Sequence, residues 1–381
     1  MKIAIPKETH KQEKRCAILP DIVKKLKKLG VEIAIEKGVG NSLFISDEEY
    51  KSAGAEIFDD KKALISSSDI IFRLHPPSLE EINLMKENSI YIGFLNPFSA
   101  KDILIKMKEK KITSICFELL PRTTIAQKMD ALSSQANLAG YVAVLLAADS
   151  LQKIFPMLTT PSGTLFPIKI FIIGVGVAGL QAIATAKRLG AKVYAFDTRP
   201  SVEEQVKSLG ARFVKIELGE TQETKEGYAT QLTQEQLEKQ KKAMEQICVS
   251  SDIVITTAQV LGKKAPQIIS KKIIEQMSKG SVIVDMAIET GGNVEKSKLN
   301  EEVIINGVKI LGYSNLAARV AYDASCMYAA NLFNLFEHFW NTKNKLFSLD
   351  LEKDILSSST VTHKGEFINE KIKHIMEKGE R

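Results

Sequence analysis

The residues whose types and spacing most directly predict chemistry are three glycines that follow an apolar run. Gly174, Gly176 and Gly179 form the pattern G-x-G-x-x-G in the stretch Ile-Phe-Ile-Ile-Gly-Val-Gly-Val-Ala-Gly. In such a turn the first glycine permits a tight bend, the second lets the backbone approach a pyrophosphate, and the third lets a helix pack closely on a strand. The N–H groups of the following helical turn, which includes Val177 and Ala178, then face the phosphates. The pattern predicts a dinucleotide-binding site.

An acidic residue follows this turn at the distance that a nucleotide site requires. Asp197 ends the next β-rich run, 18 residues beyond Gly179. A carboxylate about 20 residues after the glycines accepts hydrogen bonds from the adenosine ribose. It favours NAD over NADP because it would repel a 2′-phosphate, although Arg199 could soften that repulsion. Thr198 and Ala258 belong to the same predicted cofactor-binding set.

The elements that must position these residues are short β-rich runs, each followed by an amphipathic helical stretch. This alternation predicts parallel sheets with helices on both faces, and two such series predict two doubly wound domains. The first series of runs is Lys2–Ile5, Glu32–Glu36, Asp69–Leu74, Ile90–Leu95 and Ile112–Glu118. The second series is Lys169–Ile173, Lys192–Phe196, Arg212–Ile216, Asp252–Thr256, Ser281–Met286 and Val308–Gly312.

Two long helices are predicted to join the domains, Ala131–Gln152 and Ala321–Trp340. We expect an N-terminal domain of residues 1–137 plus 319–381 and a dinucleotide-binding domain of residues 138–318. The fold class is therefore α/β, with two doubly wound Rossmann-like domains of parallel sheets joined by two long helices. A ligand is expected in the cleft between the domains.

Two further stretches bear on function. The polar stretch Gly219–Glu245 lacks a strand pattern and predicts a mobile functional loop. The apolar stretch Ile170–Ala186 approaches the length of a membrane span, but its glycines and Gln181 are better explained by a strand, a turn and a helix.

Charge and cysteine usage exclude several classes of protein. The net charge is +6, and the lysines are scattered rather than clustered with aromatic residues, so we expect no nucleic-acid partner. The five histidines are dispersed, the cysteines form no C-x-x-C pair, and no zinc site is predicted. Free thiols in a reducing cytosol are expected for the cysteines, which are Cys16, Cys116, Cys248 and Cys326.

Several longer motifs together resemble the alanine dehydrogenase and transhydrogenase superfamily, over residues 1 to about 340. They are Ile-Pro-Lys-Glu, Glu-Lys-Arg-Cys-Ala-Ile-Leu-Pro, Phe-Ile-Ser-Asp-Glu-Glu-Tyr, Gly-Val-Gly-Val-Ala-Gly-Leu-Gln-Ala, Ile-Thr-Thr-Ala and Gly-Ser-Val-Ile-Val-Asp-Met-Ala-Ile-Glu. The superfamily has two branches, and the branch decides the function.

The groups that deaminate an amino acid in the dehydrogenase branch are changed in this chain. By resemblance, His75 stands in place of that branch's lysine and Asn96 in place of its histidine, and an asparagine cannot shuttle a proton. Glu289 stands where the dehydrogenases have aspartate. Arg15 matches their substrate-binding arginine, but an arginine alone does not deaminate a substrate.

The transhydrogenase branch has a signature that this chain retains. It comprises Pro121-Arg122, Gln127, Met129-Asp130, Leu132-Ser133-Ser134-Gln135 and Asn137–Tyr141. The resemblance implies that Arg122, Gln127, Asp130 and Ser133 hold the nicotinamide end of NAD(H), and their polar groups can hydrogen-bond a carboxamide. From the residues alone, without the resemblance, a polar loop that caps the following helix is the better explanation of the segment. Gly227-Tyr228-Ala229 resembles the mobile loop that folds over the nucleotide, which adds Tyr228 to the cofactor-binding set.

By this resemblance the chain is the NAD(H)-binding component of a proton-translocating NAD(P) transhydrogenase. Such a component passes a hydride directly to NADP(H) on a partner, which requires alignment of two nicotinamides rather than acid-base groups. The implied partners are an NADP(H)-binding component and membrane-spanning components, with a homodimer by family habit. We expect a cytoplasmic protein held at the inner membrane by those partners, and we interpret Lys364–Arg381 as a charged helical tail before the point where a membrane domain is split off.

Two other functions remain open on the sequence. One is an alanine dehydrogenase-like enzyme with rearranged catalytic groups. The other is a non-enzymatic NAD sensor, against which the intact signature from Arg122 to Ser133 speaks.

Overall fold

Alternating strands and helices build two α/β units in this computed structural model of the chain. The structure describes residues 1–10, 12–215, 233–260 and 262–378. Unit 1 comprises Met1–Gln135 together with Ala318–Arg381, and unit 2 comprises Ala136–Ala317.

The N-terminal segment of unit 1 runs from the start of the chain into the long helix α6. Its strands are β1 (Lys2–Ile5), β2 (Glu32–Glu36), β3 (Glu56–Phe58), β4 (Ile70–Phe72), β5 (Ile90–Gly93) and β6 (Thr113–Cys116). Its helices are α1 (Pro20–Lys28), α2 (Asp47–Ser52), α3 (Lys61–Ser67), α4 (Leu79–Leu84), α5 (Lys101–Glu109) and α6 (Ala131–Ser150), the last of which continues into unit 2.

Unit 2 contains the glycine-rich turn and the strands around it. Its strands are β7 (Leu158–Thr160), β8 (Gly163–Leu165), β9 (Lys169–Ile173), β10 (Lys192–Phe196), β11 (Arg212–Phe213), β12 (Ile253–Thr256), β13 (Val282–Asp285), β14 (Glu302–Ile305) and β15 (Val308–Leu311). Its further helices are α7 (Val177–Arg188), α8 (Glu203–Ser208), α9 (Gln234–Val249) and α10 (Lys271–Gln276).

The chain then completes unit 1. The remaining helices are α11 (Ala321–Phe339), α12 (Asp354–Ser359) and α13 (Glu370–Lys378), and the remaining strands are β16 (Trp340–Asn341), β17 (Leu346–Phe347), β18 (Thr360–His363) and β19 (Glu366–Phe367).

The sheet of unit 1 has the order β19-β18-β6-β5-β4-β1-β2-β3, and its strands from β6 to β3 are parallel. Because the order reverses at β1, the loops after β1 and β4 leave the sheet side by side at its carboxyl edge. Apolar side chains of the strands and of α11 form the main core of the unit, which includes Ile3, Phe72, Leu332 and Phe336.

The sheet of unit 2 has the order β11-β10-β9-β12-β13-β15-β14 and is parallel up to β15. Its order reverses between β10 and β12 around β9, so the loops after β9 and β12 meet at the carboxyl edge. These loops carry the predicted glycine turn and Ala258. The predicted α/β fold with mainly parallel sheets is confirmed.

The sheet edges differ from the predicted all-parallel arrangement. The antiparallel pairs are β14 with β15, β18 with β6, and β19 with β18. Two-residue turns with positive φ produce two of these hairpins, Asn306-Gly307 (49° and 80°) and Lys364-Gly365 (47° and 83°). Such turns match the twist of antiparallel strands. The tail from Lys364 is therefore not a single helix as predicted, since β19 precedes α13 and Ile372 of α13 is fully buried.

The two predicted long helices are present with nearly the predicted bounds. The unit boundary at 135/136 falls within α6, whereas the return at 317/318 falls before α11, in a 3-10 helix at Leu316–Val320. Within the described residues, α6 is the helix that is long and apolar enough to cross a membrane. Its polar side chains nevertheless bond inside the protein: Gln135 donates to the carbonyl of Ala324 (3.0 Å) and Asn137 to the Gln181 side chain (3.3 Å).

The predicted functional loop at Gly219–Glu245 is wrong in its second half. The helix α9 begins at Gln234, and a capping box stabilises its start: the Thr233 hydroxyl accepts from the Gln236 N–H, and the Gln236 side chain accepts from the Thr233 N–H. The second half of the stretch thus lacks a strand pattern because it forms a helix rather than a loop. The first half of the stretch, including Tyr228, lies outside the described residues.

Candidate functional site

The three glycines of the turn in unit 2 have different surroundings. Gly174 has a φ of +95°, which favours glycine. A Cβ on Gly179 would lie 2.0 Å from the carbonyl oxygen of Gly174, so α7 packs on the turn without room for a side chain. A Cβ on Gly176 would meet nothing within 4 Å, so that backbone faces open space.

The first turn of α7 begins beside this opening. Gly176 is the residue that caps the helix, and Val177 and Ala178 follow it, half-buried. The N–H groups of a first helical turn have no carbonyl partner within the helix. They carry the positive end of the helix dipole, so this turn suits an anionic group.

Asp197 lies at the end of β10 and already contacts the glycine turn. One carboxylate oxygen accepts the Val175 N–H at 2.7 Å, and Arg199 donates to both oxygens at 2.9 Å. Arg199 also donates to the Val175 carbonyl at 3.1 Å. The sequence predicted only that Arg199 could soften the repulsion between Asp197 and a 2′-phosphate, not that the two side chains pair. Both side chains are largely buried, and Thr198 between them is half-buried.

The loop after β12 is fixed by an asparagine that the sequence interpretation missed. The Asn293 side chain is fully buried and accepts from the N–H of Ala258 (3.1 Å) while it donates to the carbonyl of Ala258 (2.8 Å) and of Pro266 (2.8 Å). Thr257 donates its hydroxyl to the Gly174 carbonyl at 2.9 Å. The predicted nucleotide contact Ala258 is thereby tied to the glycine turn.

A buried acid organises the same edge of the sheet. The Asp285 carboxylate accepts the N–H groups of Ala287 and Asn293 (both 3.1 Å) and of Val294 (3.2 Å). Burial raises the pKa of Asp285 above its ordinary value, although these N–H donors oppose the rise. An acid after a strand in the run Val-Asp-Met-Ala-Ile-Glu was the available sequence signal for it.

In unit 1 the four residues of the signature lie on one short segment before and within α6. Arg122 and Gln127 are exposed, and Gln127 is in a 3-10 helix at Ala126–Met129. Asp130 accepts from the Ser133 N–H (2.9 Å) and from the Ser133 hydroxyl (2.6 Å). The capping role that the residues alone suggested is therefore present. It does not exclude a ligand, because a carboxylate offers about four acceptor positions.

A buried ionic cluster occupies the carboxyl edge of the unit 1 sheet. Arg15 donates to both oxygens of Glu13 (2.7 and 2.8 Å) and to the Gln135 side chain (2.7 Å), and His75 lies 2.6 Å from Glu13. Burial acts to raise the pKa of Glu13, but the bonds from Arg15 and His75 outweigh it and hold that pKa far below its ordinary value. The guanidinium of Arg15 is thus neutralised internally.

Asn96 and Glu289 also have internal partners. Asn96 has a φ of +50°, and its N–H donates to the buried Glu118 carboxylate at 2.7 Å. Burial raises the pKa of Glu118. Glu289 accepts from the N–H of Asn315 at 3.5 Å, which is a weak contact. Over the residues that the structure describes, no cluster of three histidine, cysteine or acidic side chains is placed to hold a metal ion.

The fold and the turn define an α/β protein with a Rossmann-type glycine turn in its second unit. Two protein-family models match the chain, one over its N-terminal part and one over its C-terminal part. The model "Alanine dehydrogenase/PNT, N-terminal domain" matches residues 4–139, and "Alanine dehydrogenase/PNT, C-terminal domain" matches residues 143–370. The chain belongs to the alanine dehydrogenase/PNT family.

Within the family, sequence identities of 38% to 42% over nearly the full length are with transhydrogenases. The chain is 41% identical to the first of the parts that make up the NAD(P) transhydrogenase alpha subunit of Rhodospirillum rubrum, covering 97% of this chain and 98% of that protein. It is 42% identical to the protein of the same name from Rickettsia prowazekii, covering 97% and 96%. The crystal structure of transhydrogenase from Sinorhizobium meliloti has a TM-score of 0.87 at 38% identity, covering 97% and 100%. The prediction of an oxidoreductase component of this type is confirmed.

Proposed function

We propose that this chain is the NAD(H)-binding component of a proton-translocating NAD(P) transhydrogenase. The observation that carries the proposal is similarity, over nearly the full length of both chains, to proteins that are each named as the first part of an NAD(P) transhydrogenase alpha subunit. Alanine dehydrogenases are more distant, as in the 28% identity over 302 residues with the enzyme of Methanococcus maripaludis.

Unit 2 fits the adenosine and pyrophosphate parts of NAD(H). The open backbone at Gly176 and the first turn of α7 at Val177–Gly179 would hold the pyrophosphate, since N–H groups there have no helical partner. Asp197 would accept from the ribose hydroxyls, with Thr198 and Arg199 beside it. Ala258, held by Asn293, would border the nucleotide, and Tyr228 is assigned to the site by family resemblance alone.

Four residues of unit 1 would hold the nicotinamide end of NAD(H). The exposed Arg122 and Gln127 can donate to carboxamide or phosphate oxygens, and Asp130 and Ser133 can accept and donate at the carboxamide. When bound, NADH supplies the hydride that passes to NADP+ held by a partner component. This chain's residues contribute binding and alignment, which are the requirements of direct transfer.

Two of the positions that an amino-acid dehydrogenase uses are changed or occupied here. Asn96 cannot carry a proton, and its backbone is bonded to Glu118. The guanidinium of Arg15 is occupied by Glu13 and Gln135. A substrate carboxylate would have to displace a buried internal carboxylate, which disfavours the alanine dehydrogenase-like alternative.

Proton translocation and NADP(H) binding belong to partner components in this proposal. The chain itself would lie on the cytoplasmic side of the inner membrane, held there by membrane-spanning partners. It would also form a homodimer. An exposed hairpin of β7 and β8 favours this, because Met157, Leu158, Leu165 and Phe166 are 47% to 77% exposed and an isolated two-stranded hairpin is marginal in water.

Reconstitution tests the proposal. The purified chain is mixed with the NADP(H)-binding component of the same organism, and reduction of NADP+ by NADH is followed. We expect a reaction that requires both proteins and is abolished in Gln127→Ala and Asp130→Ala. NADH formation from NAD+ and L-alanine by the chain alone would instead support the dehydrogenase alternative.

A further inference from the structure

The segment that carries Gln127 and Asp130 is fixed from its inner side by apolar packing. Ala126 and Met129 are buried in the core of unit 1, at 1% and 0% exposure, while Gln127 and Lys128 between them are exposed. The 3-10 helix at Ala126–Met129 therefore presents Gln127 outward from an anchored turn. Apolar packing is non-directional, so hydrogen bonds must fix the rotation of the peptide groups in this turn.

One peptide group of this turn is held from two sides. The carbonyl oxygen of Lys128 accepts the side-chain amide of Asn331 at 3.0 Å and that of Asn334 at 2.9 Å. The last carbonyls of a short helix have no partner inside it, and a carbonyl oxygen has two lone pairs. The two asparagines, one turn apart on α11, occupy both.

The same helix also holds the residues on the other side of Asp130. The Asn331 side-chain oxygen accepts the Ser134 hydroxyl at 2.8 Å, and Gln135 donates to the carbonyl of Ala324 at 3.0 Å. Helix α11 is itself rigidly seated, with Leu332 and Leu335 fully buried. Asp130 thus lies between Lys128 and Ser134, which are both hydrogen-bonded to side chains of α11.

We propose that Asn331 and Asn334 are positioning residues for hydride transfer, because together they fix the Lys128 carbonyl and with it Gln127 and Asp130. This proposal rests on the proposed function of the segment as the holder of the nicotinamide end. The two amides share one acceptor, so either one alone keeps the carbonyl satisfied. Loss of both leaves the carbonyl without these two bonds, so that the peptide group can tilt and move Gln127 and Asp130 from alignment.

The test uses the full chain reconstituted with the NADP(H)-binding component. The variants are Asn334→Ala, Asn331→Ala and their combination; because Asn331→Ala also removes the acceptor of the Ser134 hydroxyl, Ser134→Ala is made to measure that loss separately. A matched control is Asn306→Asp, which removes an amide-to-carbonyl bond (2.8 Å to Glu275) in unit 2 and keeps a residue that tolerates the positive φ of that turn. The readouts are the rate of label transfer from deuterated NADH, its primary isotope effect, and the affinities for NADH and ADP-ribose.

We expect each single variant to transfer hydride within about threefold of the wild-type rate, and the double variant to be about 10- to 100-fold slower. Affinity for ADP-ribose, which lacks nicotinamide, should stay unchanged in all of them. A general structural defect would instead lower ADP-ribose and NADH affinity in parallel, and that result would overturn the proposal.

A double variant that transfers hydride at the wild-type rate would also overturn it, provided that Gln127→Ala is inactive. If Gln127→Ala and Asp130→Ala are themselves as active as the wild type, the proposed function of the segment fails, and the positioning role fails with it. The two failures are thereby distinguished.

Discussion

At the scale of single residues, Glu13 and Arg15 form a buried ion pair at the carboxyl edge of the unit 1 sheet. The Glu13 side chain is 0% exposed and that of Arg15 is 6% exposed. Removing one partner of such a pair leaves an uncompensated buried charge. The pair also connects the carboxyl edge of the sheet with Gln135 of α6.

We predict that Glu13→Gln lowers the free energy of unfolding by about 3–5 kcal/mol at pH 7. The pKa of Glu13 is depressed in the fold, so its stabilisation is fully present above its unfolded value of 4.5 and is lost as the pH falls below that value. The difference between wild type and variant should therefore narrow as the pH falls below 4.5. Urea unfolding at several pH values measures it.

Glu48→Gln is the control, because Glu48 pairs with Lys51 at 2.6 Å on the exposed face of α2. It should change the unfolding free energy little at any pH. A deficit in Glu13→Gln that stays the same down to pH 3 would contradict the assigned ionisation.

Asp197 is the residue on which nucleotide preference depends in this account. We predict that Asp197→Asn weakens NADH binding about 10- to 100-fold, since hydrogen bonds to a charged acceptor are lost. The preference for NADH over NADPH should narrow, because the negative charge that faces a 2′-phosphate is removed. Titration with both nucleotides measures these effects. Asp252→Asn is the matched control at the amino end of β12, where Asp252 accepts from the Lys169 N–H at 2.8 Å; equal losses in both variants would contradict the assignment.

At the scale of elements, the strand, turn and helix from β9 to α7 separate two roles of glycine. We predict that Gly176→Ala changes the unfolding free energy by less than about 1 kcal/mol but weakens NADH binding at least about tenfold. The added methyl group meets no protein atom within 4 Å and would fill the space in which the pyrophosphate approaches.

Gly179→Ala is the paired variant. Its methyl group would lie 2.0 Å from the Gly174 carbonyl, so we expect a loss of about 1–3 kcal/mol or more in stability. Thermal unfolding and NADH titration distinguish the two variants. Equal destabilisation by both would show that the space at Gly176 is not open in the folded protein.

Much of this element structure was predictable from the sequence because its signals are local. The runs at Lys2–Ile5, Glu32–Glu36, Lys169–Ile173 and Lys192–Phe196 are strands with the predicted bounds. The hairpins were missed, although Asn306-Gly307 is a strong two-residue turn signal. The start of α9 was missed because its polar sequence shows little apolar periodicity, and only the capping box at Thr233 marks it.

Within the candidate site, the sequence could indicate chemical groups but not the partners that those groups would take. The glycine spacing predicts the turn, since backbone geometry is local. The bonds of Asn293 with Ala258 and of Asn331 with Lys128 join residues 35 and 203 positions apart. No spacing rule reports such pairs, because they depend on how the completed sheets place their loops.

At the scale of the whole molecule, the exposed apolar side chains of the β7–β8 hairpin predict that two copies of the chain associate. We predict that the protein is a dimer in solution and that Leu158→Asp combined with Phe166→Asp, both on the exposed hairpin, converts it to a monomer. Sedimentation equilibrium measures the mass. Leu299→Asp, at a residue 53% exposed elsewhere in unit 2, should leave the dimer intact. A monomeric wild-type protein, or a dimeric hairpin variant, would contradict this assignment.

The central claim is that this chain aligns NADH for direct transfer to a nucleotide on another protein. The most direct measurement follows deuterium from labelled NADH into NADPH in a mixture of the chain, the NADP(H)-binding component and NADP+. We predict that one deuterium per turnover is recovered in NADPH without exchange into water, and that recovery ceases in Gln127→Ala. Absence of label in NADPH, with both nucleotides bound and both proteins associated, would contradict the account.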